Sequence, residues 1–77
     1  MTDRDKFMAV VNRNNMKIYE VAADLGMAPQ TLYNKLGNTS EFSQTELSRF
    51  RTIFPDVSNK EFEQIFFAQT LAGKANG

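Results

Sequence analysis

The chain has no cysteine and no histidine among its 77 residues. Without Cys there is no disulfide framework, no thiolate metal site and no sulfur nucleophile, a usage that suits a reducing cytoplasm. Without His the common zinc sites, the Ser-His-Asp and Cys-His arrangements and the usual general base near neutral pH are missing as well. Most enzyme classes go with them, and no cofactor or metal is expected. Charge of one sign is also lacking: nine Lys and Arg balance nine Asp and Glu, whereas a nucleic-acid-binding domain is usually clearly basic. Residues 1–54 hold seven basic and six acidic side chains and residues 55–77 two and three, so neither part is a polyanion-binding tail. No apolar run approaches the ~20 residues of a membrane-spanning helix. The start, Met1-Thr2-Asp3-Arg4-Asp5-Lys6, is charged and lacks the apolar core of a signal peptide. A cytoplasmic protein without a membrane partner is expected.

What is present suits one small folded domain. A chain of this size buries only about 60% of the surface its unfolded form exposes, so it needs an efficient core or a partner. At 42% hydrophobic and 23% charged, with seven Phe, the composition is that of a globular domain. The periodicity is helical throughout, and no segment alternates with period two over strand length. Phe7, Val10 and Val11 lie at i, i+3, i+4 of a first helix over roughly residues 3–13, with Thr2 and Asp5 placed to cap its start and Asn14-Asn15 to end it. Ile18, Val21, Ala22 and Leu25 make the stripe of a short second helix closed by Gly26. Pro29 suits the first position of a third, with Leu32 and Leu36 inward and Gly37 closing it before a loop over 38–41. Phe42-Ser43-Gln44-Thr45-Glu46-Leu47 and Val57-Ser58-Asn59-Lys60-Glu61-Phe62 repeat one pattern, Ser at the N-cap, Glu three residues on and apolar residues flanking. Each reads as a capping box with a hydrophobic staple. The fourth helix, with Leu47, Phe50 and Phe54 inward, must stop at Pro55; the fifth carries Phe62, Ile65 and Phe66. An all-α, five-helix domain over 1–72 with a C-terminal tail over 73–77 is expected.

Two short helices joined by a glycine turn match the helix-turn-helix, in which Ala22 is small at the helix crossing and Gly26 lets the chain reverse. Val21-Ala22-Ala23-Asp24-Leu25-Gly26-Met27 and Gln30-Thr31-Leu32-Tyr33-Asn34-Lys35-Leu36 resemble the phage Cro and repressor family of lambda-repressor-like domains. With Ser40-Glu41-Phe42-Ser43-Gln44 and Ile65-Phe66-Phe67, the likeness to short Cro-like regulators of phages and prophages covers roughly residues 5–67. The chain departs from the family at Ile18, where many members carry Gln, and at Pro29, where many carry a polar reader; both reduce the polar contacts available to DNA.

The resemblance implies a transcriptional regulator whose third helix enters the major groove of operator DNA. A helical wheel with Leu32 and Leu36 inward points Gln30 and Asn34 outward and sets Thr31 and Tyr33 beside them. Carboxamides pair with adenine, and a Thr methyl or a Tyr ring can touch the thymine methyl. Phosphate contacts are expected from Lys17, Lys35, Asn38, Thr39, Ser40, Gln44 and Thr45, most of them near helix starts where free N–H groups favour an anion. The Phe residues at inward positions read as core, and Glu46 and Glu61 as cap residues. Phe67 and Leu71 lie one turn apart on the outer side of the fifth helix, where a homodimer would cover them. The rival function is a protein-interaction module on the same fold, a phage modulator or antirepressor with little DNA affinity, which the zero net charge favours.

Overall fold

A computed structural model describes residues 1–68, which form α1 (Arg4–Arg13), α2 (Ile18–Leu25), α3 (Pro29–Leu36), α4 (Gln44–Ile53) and α5 (Asn59–Phe66). The domain is all-α, with no strand among the described residues. The expected boundary at 72, the tail over 73–77 and Leu71 lie outside the described residues.

Local chemistry explains most of the boundaries. Ser43 Oγ accepts the Glu46 N–H at 3.1 Å while the Glu46 carboxylate returns to the Ser43 N–H at 2.8 Å, a complete capping box at the start of α4. Only half of the second box forms. Ser58 Oγ accepts the Glu61 N–H at 3.1 Å, but the Glu61 carboxylate turns to Arg13, with Nη1 at 3.0 Å. A guanidinium with two carboxylates in reach outcompetes a single backbone N–H for that side chain. The cap of α1 also differs from expectation. Asp3, not Thr2, accepts the Lys6 N–H at 3.1 Å, because Thr2 is buried and its backbone is bonded elsewhere.

Three helices end the same way, each with one residue in the left-handed conformation. These are Asn15 (φ 56°), Gly26 (φ 82°) and Asn38 (φ 63°). In each case the next residue's N–H reaches back five residues, from Met16 to Val11 O at 3.1 Å, from Met27 to Ala22 O at 2.9 Å and from Thr39 to Asn34 O at 2.9 Å. This is the Schellman closure, which satisfies the last carbonyls of a helix. Gly37 was the expected closing residue of α3, yet its φ of −85° is open to any residue and the left-handed position falls on Asn38. Asn tolerates that conformation because its short side chain can bond locally. At Asn38 the side chain bonds across the fold instead.

The inward stripes meet in one core. Phe7, Val10 and Val11 of α1 join Val21, Ala22 and Leu25 of α2, Leu32 and Leu36 of α3, and Phe50 of α4. Phe54, just past α4, and Phe62, Ile65 and Phe66 of α5 complete it. Aromatic rings cluster around Phe50, which meets Phe66 edge to face at a centroid distance of 4.8 Å and an interplanar angle of 84° and meets Phe7, Phe54 and Phe62 at tilted angles. α1 packs on α5, and α2 on both α3 and α4. The N-terminal residues tie the two groups together. The Asp3 N–H donates to Ile65 O at 2.6 Å and the Ala68 N–H to Met1 O at 3.0 Å. On the other side the Asn38 carboxamide takes the Thr2 N–H at 2.8 Å and donates to Thr2 O at 3.2 Å.

Candidate nucleic-acid interface

The outer face of α3 is assembled as the helical wheel requires. Leu32 and Leu36 are buried, so Gln30, Thr31, Tyr33 and Asn34 all face solvent, Tyr33 at 44% exposure. Gln30 Nε2 donates to Asn34 Oδ1 at 3.1 Å, an i, i+4 bond between the two side chains aimed most directly outward. α2 supports this face from behind, with Ala22 fully buried behind it.

The turn from α2 into α3 carries a feature that the sequence did not reveal. Arg49 of α4 donates from Nη1 to the Leu25 carbonyl at 3.2 Å, satisfying an orphan carbonyl at the end of α2. A Cβ built on Gly26 would run into this guanidinium. Gly26 is favoured by its φ, and a Cβ there would also push the flexible end of Arg49 off the Leu25 carbonyl. No spacing in the sequence links residues 25 and 49.

Two of the expected phosphate ligands are committed elsewhere. Lys35 Nζ donates to the Glu41 carbonyl at 2.6 Å and lies 3.2 Å from Glu46 Oε1, with only 12% of its side chain exposed. It joins the end of α3 to the start of α4, and its charge is met there by Glu46. Burial pushes the Glu46 carboxyl up, but the Ser43 N–H and the Lys35 ammonium more than offset this, and the group sits below its ordinary range. Asn38 is likewise spent, because both ends of its carboxamide bond Thr2. Its role is to hold the α3–α4 loop against the N-terminal segment.

The remaining polar residues stand open. Thr39, Ser40, Gln44 and Thr45 are exposed around the start of α4, on the same edge as α3. Lys17 is exposed at the start of α2, although its backbone N–H is taken by Glu20 Oε1 at 2.8 Å. Residues 17–46 contain two basic side chains, Lys17 and Lys35, against four acidic ones, Glu20, Asp24, Glu41 and Glu46. With Lys35 neutralised, Lys17 is the one uncommitted cation of that segment. The strongest ion-pair cluster lies on another face, where Arg13 bridges Asp56 at 2.8 Å and Glu61 at 3.0 Å. Hydrogen bonds from Glu61 and then Asp56 raise the guanidinium pKa further above its already high value.

At the end of α5, Phe67 is 55% exposed, its ring 6.2 Å from that of Phe62. It forms part of the wall of a cleft of about 390 Å³ together with Met1, Phe42, Leu47 and Phe66. Asp3, Lys6, Lys60 and Glu63 line a shallow depression on its other side. No helix among the described residues is long and apolar enough to cross a membrane. Comparison of the chain with protein-family models, with curated proteins and with solved structures finds no match.

Proposed function

We propose that this chain is a sequence-specific DNA-binding transcriptional regulator of the Cro-like or repressor-like kind, with a lambda-repressor-like helix-turn-helix at α2 and α3. The observation that carries the reading is the outer face of α3: Gln30, Thr31, Tyr33 and Asn34, exposed together on a short helix braced by α2 through a tight left-handed turn. Such a helix fits the major groove, and its carboxamides, hydroxyl, methyl and aromatic ring are groups that read base edges. Thr39, Ser40, Gln44, Thr45 and Lys17 would position the domain on phosphates without specifying sequence. With so few free cations, most of the affinity must come from base contacts and uncharged donors. Non-specific binding should be at or weaker than about 10⁻⁴ M at physiological salt.

The regulator acts as a homodimer in the cytoplasm, and no catalysis is part of this reading. Phe67 supports the dimer, being a large exposed apolar ring whose surroundings hold two acidic and two basic side chains, Asp3, Glu63, Lys6 and Lys60. Equal numbers of acids and bases leave that patch without a net charge that would repel its own copy across a two-fold axis. One observation favours a second reading, a protein-interaction module on the same fold: the excess of acid over free cation across residues 17–46. Gel shifts over a range of salt, on random duplex and on DNA from upstream of the gene, decide between them. A regulator gives a specific complex that random duplex cannot compete away; a module gives none.

A further inference from the structure

We propose that Gln30 and Asn34 read DNA as one joined unit directed at a single A·T pair, and not as two independent readers of two bases. This rests on the DNA-binding reading above and adds its specificity. A free carboxamide offers a donor and an acceptor side by side and can pair with adenine alone. Here neither is free. The bond from Gln30 Nε2 to Asn34 Oδ1, 3.1 Å long, engages the donor group of one and the acceptor of the other. What remains wholly unengaged is the Gln30 carbonyl oxygen and the Asn34 NH₂ group, one acceptor and one donor on two residues one helical turn apart. Turning both amides over gives the same set on exchanged residues, because one internal bond always consumes one of each.

Adenine presents a matching N6 donor and N7 acceptor, whereas the N7 and O6 of guanine both accept. Thr31 and Tyr33, exposed on either side, are placed to meet the methyl of the paired thymine, which selects A·T over G·C. The bond also biases both side chains toward this arrangement before DNA arrives, by the small amount of an exposed i, i+4 pair, so somewhat less rotamer freedom is lost on binding.

The test is selection of a pool of duplexes with a randomised segment by the wild-type chain, Gln30→Ala, Asn34→Ala and the double variant. All four should melt alike, since both residues are exposed. The expected result is one strongly preferred A·T position that each single variant weakens, with about a ten-fold fall in affinity and only the residual preference of the freed carboxamide, and that the double variant loses. Replacing that adenine by 7-deazaadenine should weaken the wild type comparably and leave the double variant unchanged. Two separate positions, one lost with each variant and with multiplicative losses, overturn the joined unit while leaving DNA binding intact. A preferred position that is G·C does the same. A pool in which the wild type enriches nothing overturns the DNA-binding reading itself and this inference with it.

Discussion

The turn between α2 and α3 can be tested most sharply at Gly26, where two independent costs meet. An alanine there must hold a left-handed backbone at φ 82°, a conformation that costs a residue with a Cβ about 1–2 kcal/mol. It must also displace the Arg49 guanidinium, which lies against the position of the new methyl. Losing the 3.2 Å bond from Arg49 to the Leu25 carbonyl adds about 1 kcal/mol, below the roughly 1.5–3 kcal/mol of a bond to a charged group because the side chain is partly in water. Gly26→Ala should therefore destabilise the domain by about 2–3 kcal/mol. For a domain of this size each kcal/mol moves the melting temperature by about 4–8 °C, so a fall of about 10–20 °C is expected by circular dichroism. The two costs separate in a double-mutant cycle. In an Arg49→Ala background the guanidinium is already gone, and Gly26→Ala should cost only the backbone part, about 1–2 kcal/mol. The reasoning fails if the alanine penalty is the same with and without Arg49, or if Gly26→Ala melts within the error of wild type.

Three further perturbations address the other devices of the fold. Asn38→Gly keeps the left-handed backbone but deletes both bonds to Thr2, and a urea melt should show a loss of about 1–2 kcal/mol; unchanged stability would remove the N-terminal tie. Glu46 has a folded pKa below its ordinary 4.5, so it contributes stability that is fully present above about pH 4.5 and is lost as pH falls through the folded value. Glu46→Gln, which can still complete the capping box, should flatten the acid limb of a melting-temperature profile, and an acid limb as steep as wild type would show that the Lys35 pair contributes nothing. Phe67→Glu should fold normally, because the ring is 55% exposed, yet sediment as a monomer; a wild type that is itself monomeric at high concentration ends the dimer reading.

How far the sequence could be read depends on how far apart the interacting residues lie. The Ser43 and Ser58 caps were legible because each bond spans three residues, a distance over which helix geometry is fixed in advance. Gly26 was legible for the same reason, as was the outward face of α3 once Leu32 and Leu36 were placed inside. The choice between Gly37 and Asn38 was not, since both suit a helix end and the decision went to the residue whose side chain could reach Thr2, 36 positions away. The engagement of Lys35 was illegible on similar grounds. Nothing local distinguishes a solvated lysine from one folded onto the carbonyl of Glu41 and the carboxylate of Glu46, and only the angle between α3 and α4 decides. Arg13 with Asp56 and Glu61, and Arg49 with Leu25, span 24 to 48 residues and carry no spacing signal at all. The ties made by Lys35 and Asn38 bear on the candidate site. They engage a cation and an amide at the edge that DNA would meet, so a neutral sequence folds into a face with still less free positive charge than its composition implies. Any affinity of that face for a duplex must then be weakly dependent on salt and strongly dependent on the four exposed side chains of α3, the reverse of what a basic DNA-binding domain would show.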